Sequence, residues 1–158
     1  MNFGNEDKTP LSLEQLIDNA NNELTVYVSK SVTRKPTAEE NAVNVNGNDK
    51  LLEILGKTSL LIPDPAQLYK IHFKDYILYQ MRNESFTVYK ADESHTGYGL
   101  VLFEKSALLD HVYEFINMDL ALSVWKKTKY QHYGIYTLNN IIDVISFEKP
   151  TIEKVERV

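Results

Sequence analysis

The fold turns on the run Tyr69-Lys70-Ile71-His72-Phe73-Lys74-Asp75-Tyr76-Ile77-Leu78-Tyr79-Gln80-Met81-Arg82-Asn83-Glu84-Ser85-Phe86-Thr87-Val88-Tyr89. Within it Tyr69, Ile71 and Phe73 alternate with Lys70, His72 and Lys74, and the same parity carries on through Ile77, Tyr79 and Met81. A period of two marks a strand with one face on a core. The opposite parity is apolar at Tyr76 and Leu78, turns polar at Gln80, Arg82 and Glu84, and recovers at Phe86 and Val88. Something wet or paired must therefore meet Arg82 and Glu84, which a continuous strand would place side by side. A second run, Tyr98 to Phe103, follows the polar turn Lys90 to Gly97. The two runs are expected to form the centre of an antiparallel sheet.

Upstream, Ser12-Leu13-Glu14-Gln15 has the form of a capping box, and Leu13, Leu16, Ile17, Ala20 and Leu24 recur at helical spacing. This predicts a first helix ended by Asn21-Asn22. Thr25 to Val28 reads as a short strand, and Ser29 to Lys50 as a long flexible loop. Leu51 to Leu55 is too short to separate helix from strand. Leu60-Leu61-Ile62 reads as a buried strand closed by Pro63-Asp64-Pro65.

Downstream, the period changes. Leu108, Leu109, Val112, Phe115 and Ile116 line one helical stripe, with Ser106 as its natural cap. Asn117 to Lys129 allows a further helix after Asp119, and Tyr130 to Leu138 reads as a strand. Asn139 or Asn140 would cap a short helix carrying Ile141, Ile142, Val144 and Ile145, and Glu153 to Val158 would be a charged tail. The order of elements predicts an α+β fold, a mainly antiparallel sheet with helices packed on one face. One domain over residues 1–158 is expected, with the loop at 29–50 as an insertion.

Composition narrows the chemistry. The chain has 158 residues, 43% hydrophobic and 25% charged, with a formal charge of −5 and no cysteine. Disulfides, thiolate metal sites and cysteine nucleophiles are excluded together. An acidic balance disfavours nucleic-acid backbones and suits a basic partner. No bilayer-length apolar run and no basic-then-apolar leader is read at Met1 to Asp7, so a cytosolic protein without membrane contact is expected.

No catalytic motif stands out. There is no phosphate loop, dinucleotide fingerprint or nucleophile elbow, and Gly97-Tyr98-Gly99 is a turn. The histidines His72, His95, His111 and His132 never fall at His-x-His or His-x-x-x-His spacing, so neither a metal nor a cofactor is expected. Lys126, Lys127 and Lys129 beside Trp125 and Tyr130 read as a solvated helix end. Ten tyrosines, several in expected strands, suit a sheet face used for recognition, since a tyrosine ring buries while its hydroxyl stays wet.

The segments Ile71 to Ile77, Arg82 to Phe86, Phe103 to Ser106 with Leu108 to Asp110, His132 to Tyr136 and Asn139 to Ser146 carry a resemblance. Over Tyr69 to Ile152 the chain resembles small uncharacterised proteins of Gram-positive bacteria suspected to be immunity proteins, encoded beside secreted or contact-delivered toxins. The resemblance implies a stoichiometric inhibitor that occludes a toxin's active site, with a basic toxin domain as partner. Tyr79, Arg82, Glu84, Asp110 and Glu114 are the candidate contact residues. The competing class is a small enzyme or ligand-binding module for a nucleotide or other anion, with His72, Tyr79, Arg82 and Glu84 around a cleft. A third is a mobile-element inhibitor of a host defence system.

Overall fold

The computed structural model describes residues 8–40, 50, 53, 54 and 56–156. They form two antiparallel sheets. The first has the order β1 (Leu11–Asn19), β2 (Glu23–Arg34), β3 (Leu60–Phe73) and β9 (Thr151–Val155). The second runs β4 (Tyr76–Asn83), β8 (Asn140–Ser146), β7 (Gln131–Tyr136), β6 (Leu100–Lys105) and β5 (Ser94–Tyr98). The mainly antiparallel character expected from the sequence is what the structure has.

The sheets share one core. Leu24, Val26 and Val28 of β2 lie opposite Phe73, Ile71 and Tyr69 of β3, and all six are buried against Tyr133, Ile135, Ile142 and Val144 of the second sheet. The parity read at Tyr69, Ile71 and Phe73 is the one that faces this core. Burying a large apolar side chain contributes roughly 1.5–3 kcal/mol each, so this cluster is the main stabilising body of the fold. Asp18 of β1 ties the layers at one end, accepting from the Tyr76 hydroxyl at 2.8 Å and the Tyr79 hydroxyl at 3.4 Å.

Several expectations are corrected. The predicted first helix is strand β1. Between Leu13 and Gln15 the ladder shifts register, so Glu14 is an extra residue, and Leu11, Leu13 and Leu16 all reach the core. One bulge residue turns a spacing of two into a spacing of three, which imitates a helix. Ser12 is no cap; its hydroxyl meets that of Ser31 across the hairpin at 3.1 Å.

The expected loop at 29–50 begins as strand, since β2 runs to Arg34; residues 41–49 lie outside the described residues, as does most of Leu51 to Leu55. Leu60 and Leu61, read as part of a buried strand, are exposed at the start of β3, and Pro63 and Pro65 do not end it. They sit where the β2–β3 register jumps from Ser29↔Leu68 to Ser31↔Pro63, and Ser31 there donates its amide to the Pro10 carbonyl at 2.8 Å. A bulge tolerates proline because no ladder donor is required of it.

Residues 69 to 103 are not one ribbon. Asp75 takes a left-handed φ of 58°, and the chain crosses there from β3 in the first sheet to β4 in the second. β4 pairs with β8, never with β5 or β6.

The predicted helix at 139–145 is strand β8. Its residues 141–146 are all buried, Ile142 and Val144 in the core between the sheets and Ile145 in a second cluster. A strand covered on both faces gives a continuous apolar run in which periodicity is blind. Likewise the charged tail supplies β9, which pairs with β3.

Two helices follow β6. In α1 (Ala107–Phe115) the Ser106 hydroxyl accepts from the Leu109 amide, as the cap reading anticipated. α2 (Met118–Trp125) is capped by Asn117, whose side chain accepts from the Leu120 amide. Val112 and Met118 form the second buried cluster with Ile145.

Candidate functional site

The second sheet carries a polar network on the side of the α1 cluster. Ladder partners Gln80 and Asp143 face each other across β4 and β8, and Arg82 lies two residues further along β4. Asp143 accepts from Arg82 Nε at 2.8 Å, Arg82 Nη2 at 3.1 Å and Gln80 Nε2 at 3.0 Å. On its other side, His132 Nε2 lies 3.2 Å from Asp143 Oδ1, and His132 Nδ1 lies 2.8 Å from the Ser106 hydroxyl. A carboxylate only accepts, so Nε2 carries the proton toward Asp143, while Nδ1 is bonded to the Ser106 hydroxyl. The imidazole is stacked on Phe103 at 4.1 Å.

Burial pushes the Asp143 carboxyl up, but the hydrogen bonds from His132, Arg82 and Gln80 outweigh it and hold the group below the usual carboxylate range. Serine, histidine and aspartate in series have the connectivity of a nucleophile and its base. Here the serine is sealed. Ser106 is 1% exposed, its oxygen is already engaged as the α1 cap, and it does not line the adjoining hollow. The series fastens α1 to β7 and β8 and aims Arg82.

Arg82 opens into a hollow of about 420 Å³ walled by Val88, Leu108 and Phe115, with Lys90, Glu93 and Glu114 also around it. Glu114 is paired with His111 at 2.7 Å. A second hollow, of about 530 Å³, is lined by Glu84, Tyr89, His95, Tyr98 and Tyr136 among others. The Tyr89 hydroxyl donates to Glu84 Oε1 at 3.2 Å. Burial, with Asp143 nearby, pushes the Tyr136 phenol up to about 12. Adjacent residues Val88 and Tyr89 thus wall two different hollows, and the segment between β4 and β5 is their shared border.

The residues singled out from sequence are divided among these places. Arg82 and Glu114 come together at the first hollow. Glu84 does not stand beside Arg82, because β4 ends at Asn83, whose side chain accepts the Ser85 amide and starts the 3-10 turn Glu84–Phe86; Glu84 lines the second hollow instead. Tyr79 points to the core between the sheets and to Asp18, away from Arg82. Asp110 is exposed on the first turn of α1 and lines neither hollow.

His72 belongs to the first sheet, 3.1 Å from the Thr25 hydroxyl and 4.0 Å from Glu23, so the predicted cleft of His72, Tyr79, Arg82 and Glu84 does not form. Asp143, the partner of Arg82, and His132, which bonds the same carboxylate, were missed. The available signal was the polar gap at Gln80 and Arg82, which required a buried acid nearby.

Among the described residues no three His, Asp or Glu side chains gather as a metal-holding group, and no buried side-chain polar atom lacks a hydrogen bond. No helix among them is long and apolar enough to cross a membrane. The chain matches no protein-family model, no curated protein and no solved structure.

Proposed function

We propose that this is a non-catalytic recognition protein of the immunity type, a stoichiometric inhibitor that docks a basic protein partner on the segment between β4 and β5 and on the hollows beside it. One observation carries the reading: Phe86 and Val88 are 84% and 80% exposed on that segment, and Phe115 across the first hollow is 67% exposed. Large apolar side chains grouped at that exposure mark interaction sites in soluble proteins. The net charge of −5 favours a basic partner by steering encounter, while the exposed rings set the dissociation rate. In this reading α1 and α2 stand on the outer face of the second sheet, Glu114 and Glu84 supply rim charge, and the protein acts in the cytosol.

The test is co-expression with the product of a neighbouring toxin gene, followed by gel filtration. A one-to-one complex that is lost in the double variant Phe86→Ser/Val88→Ser is the expected result. Continued killing with no complex would sink the proposal.

A second reading has its own support. Arg82 is 37% exposed at the first hollow, with Lys90 also lining it, so an anionic small ligand would find donors there. Saturable binding of a nucleotide or inorganic phosphate, abolished in Lys90→Ala, would favour this module over the inhibitor.

A further inference from the structure

We propose that the second hollow is a receptor for an organic cation, a guanidinium or alkylammonium group held against tyrosine rings and paired with Glu84. The proposal deepens the recognition reading and rests on it only for the source of the cation. Among the described residues that line the hollow, Glu84 is the one with a formal charge. Its carboxylate is oriented by the Tyr89 hydroxyl at 3.2 Å. Arg82, which lines the other hollow, is already engaged, since it spends Nε and Nη2 on Asp143. Lys90 lines the other hollow.

Three phenol rings, Tyr89, Tyr98 and Tyr136, line the same space, and the face of a phenol ring attracts cations through its quadrupole. The His95 ring stands 6.0 Å from that of Tyr136 at 37°, so the wall is a shallow wedge.

The backbone is shaped to expose these rings. A Cβ on Gly134 would sit 3.0 Å from side-chain atoms of Phe103, Tyr136 and Val101, so a larger residue there would require the Tyr136 ring or its neighbours to shift. Gly99 takes φ 71°, and a Cβ there would come within 2.8 Å of Leu11. That leaves the turn that presents Tyr98 no room for a larger residue. Leu11, Val101 and Leu138 complete an apolar wall against which the methylenes of a long basic side chain can pack. At about 530 Å³ the hollow holds such a side chain with its head group. Burial pushes the Tyr136 and Tyr89 phenols up, so these two stay neutral in ordinary conditions.

The experiment is an NMR titration of the full chain followed at the Gly97, Gly99 and Thr137 amides. The probes are methylguanidinium and tetramethylammonium, with N-methylurea as the neutral counterpart, and an arginine-containing hexapeptide with its citrulline twin. The expected result is saturable binding of the cations near the millimolar range, about tenfold weaker in Glu84→Gln and in Tyr98→Leu, with no response to N-methylurea. A hexapeptide at least about tenfold tighter than methylguanidinium identifies a protein side chain as the source. Equal affinities identify a free small cation. Shifts that persist unchanged in Glu84→Gln, or that N-methylurea reproduces, would overturn the site, as would no shift with any cation. The partner complex is read separately by gel filtration, so a lost complex with intact cation binding rejects the inhibitor reading alone.

Discussion

Arg82 grips Asp143 through two hydrogen bonds, 2.8 and 3.1 Å, although the two are not opposite each other in the ladder: Asp143 faces Gln80, and Arg82 faces Ile141. The pair is lopsided in burial, with 1% of the aspartate side chain exposed and 37% of the arginine. Removing the arginine therefore leaves a buried carboxylate without its counter-ion, held by His132 and Gln80 alone, whereas removing both charges leaves only the donors of His132 and Gln80 to find new partners. Arg82→Leu is expected to cost on the order of 3 kcal/mol, and Arg82→Leu/Asp143→Leu to cost clearly less than the two single variants summed. Urea unfolding measures this. A loss below about 1 kcal/mol for the single variant, or simple additivity, would contradict it.

Acid should act through the same carboxylate. Burial opposes its ionisation, yet the bonds from His132, Arg82 and Gln80 depress it below its ordinary range. A carboxyl depressed in the folded state stabilises above its unfolded pKa, ~3.9, and loses that contribution as pH falls through the lower folded value. Stability should hold at neutral pH and fall on acidification below ~4. Glu40, Asp92 and Glu148 are depressed too, so the comparison with Asp143→Asn isolates the buried group. The variant should be less stable at pH ~7 and show a shallower acid limb. Parallel limbs in the two proteins would rule out this assignment.

Ser106 serves two neighbours at once, accepting the Leu109 amide at 3.2 Å and meeting His132 Nδ1 at 2.8 Å. Ser106→Ala removes a cap, worth about 1 kcal/mol, and leaves a buried ring nitrogen unpaired at a comparable cost, roughly 2 kcal/mol together. Ser106→Thr keeps both bonds and should recover most of the loss in thermal unfolding. Equal melting temperatures for the two variants would show that the hydroxyl is not what matters.

What could be read from the sequence follows from where period and packing agree. Tyr69, Ile71 and Phe73 declared their face because β3 is covered on one side by the core, and Ser106 declared α1 because the cap directly precedes the apolar stripe. Glu14 hid β1, because one bulge residue shifts a two-residue period to a helical spacing. Ile141 to Ser146 hid β8, because a strand buried on both faces has no polar parity. The parity read through Ile77, Tyr79 and Met81 does not survive Asp75: a bulge between Tyr76 and Leu78 sets Tyr76 and Tyr79 against the core between the sheets and Ile77 in the second cluster, and Met81 is exposed. At the site, Arg82 was legible as a polar interruption that needed a partner. Asp143 was not, since it stood in what reads as a helix, and pairing through space leaves no mark on sequence spacing.

The turn that ends the misread helix gives a sharp prediction. Asn21 and Asn22 take φ of 66° and 58°, and the Asn22 carbonyl accepts the Tyr76 amide at 3.0 Å, joining the β1–β2 hairpin to the start of β4. Asparagine tolerates that conformation and a β-branched residue does not. Asn22→Val should cost about 1–2 kcal/mol, and Asn22→Gly should stay within ~0.5 kcal/mol of the parent. Were the segment helical, glycine would be the worse of the two, so the order of the variants in urea unfolding decides between the structures.

Alkaline pH tests the other hollow. Burial first, then the charge of Asp143 and neighbouring acidic groups, raise the Tyr136 phenol to about 12, against a partial offset from Arg82. The folded state thus holds this proton more tightly than the unfolded chain, whose tyrosines titrate near ~10. The stability it contributes is complete below ~10 and is lost as pH rises toward the folded value. Tyr76, half-buried and bonded to Asp18, titrates late in the same way, also at about 12. An ultraviolet difference titration should therefore show a late-ionising group of tyrosines, diminished by one phenol in Tyr136→Phe. That variant should also lose less stability between pH ~10 and ~12 than the parent. If Tyr136→Phe leaves the late phase undiminished, Tyr136 is open to solvent, and the second hollow is wetter than its walls imply.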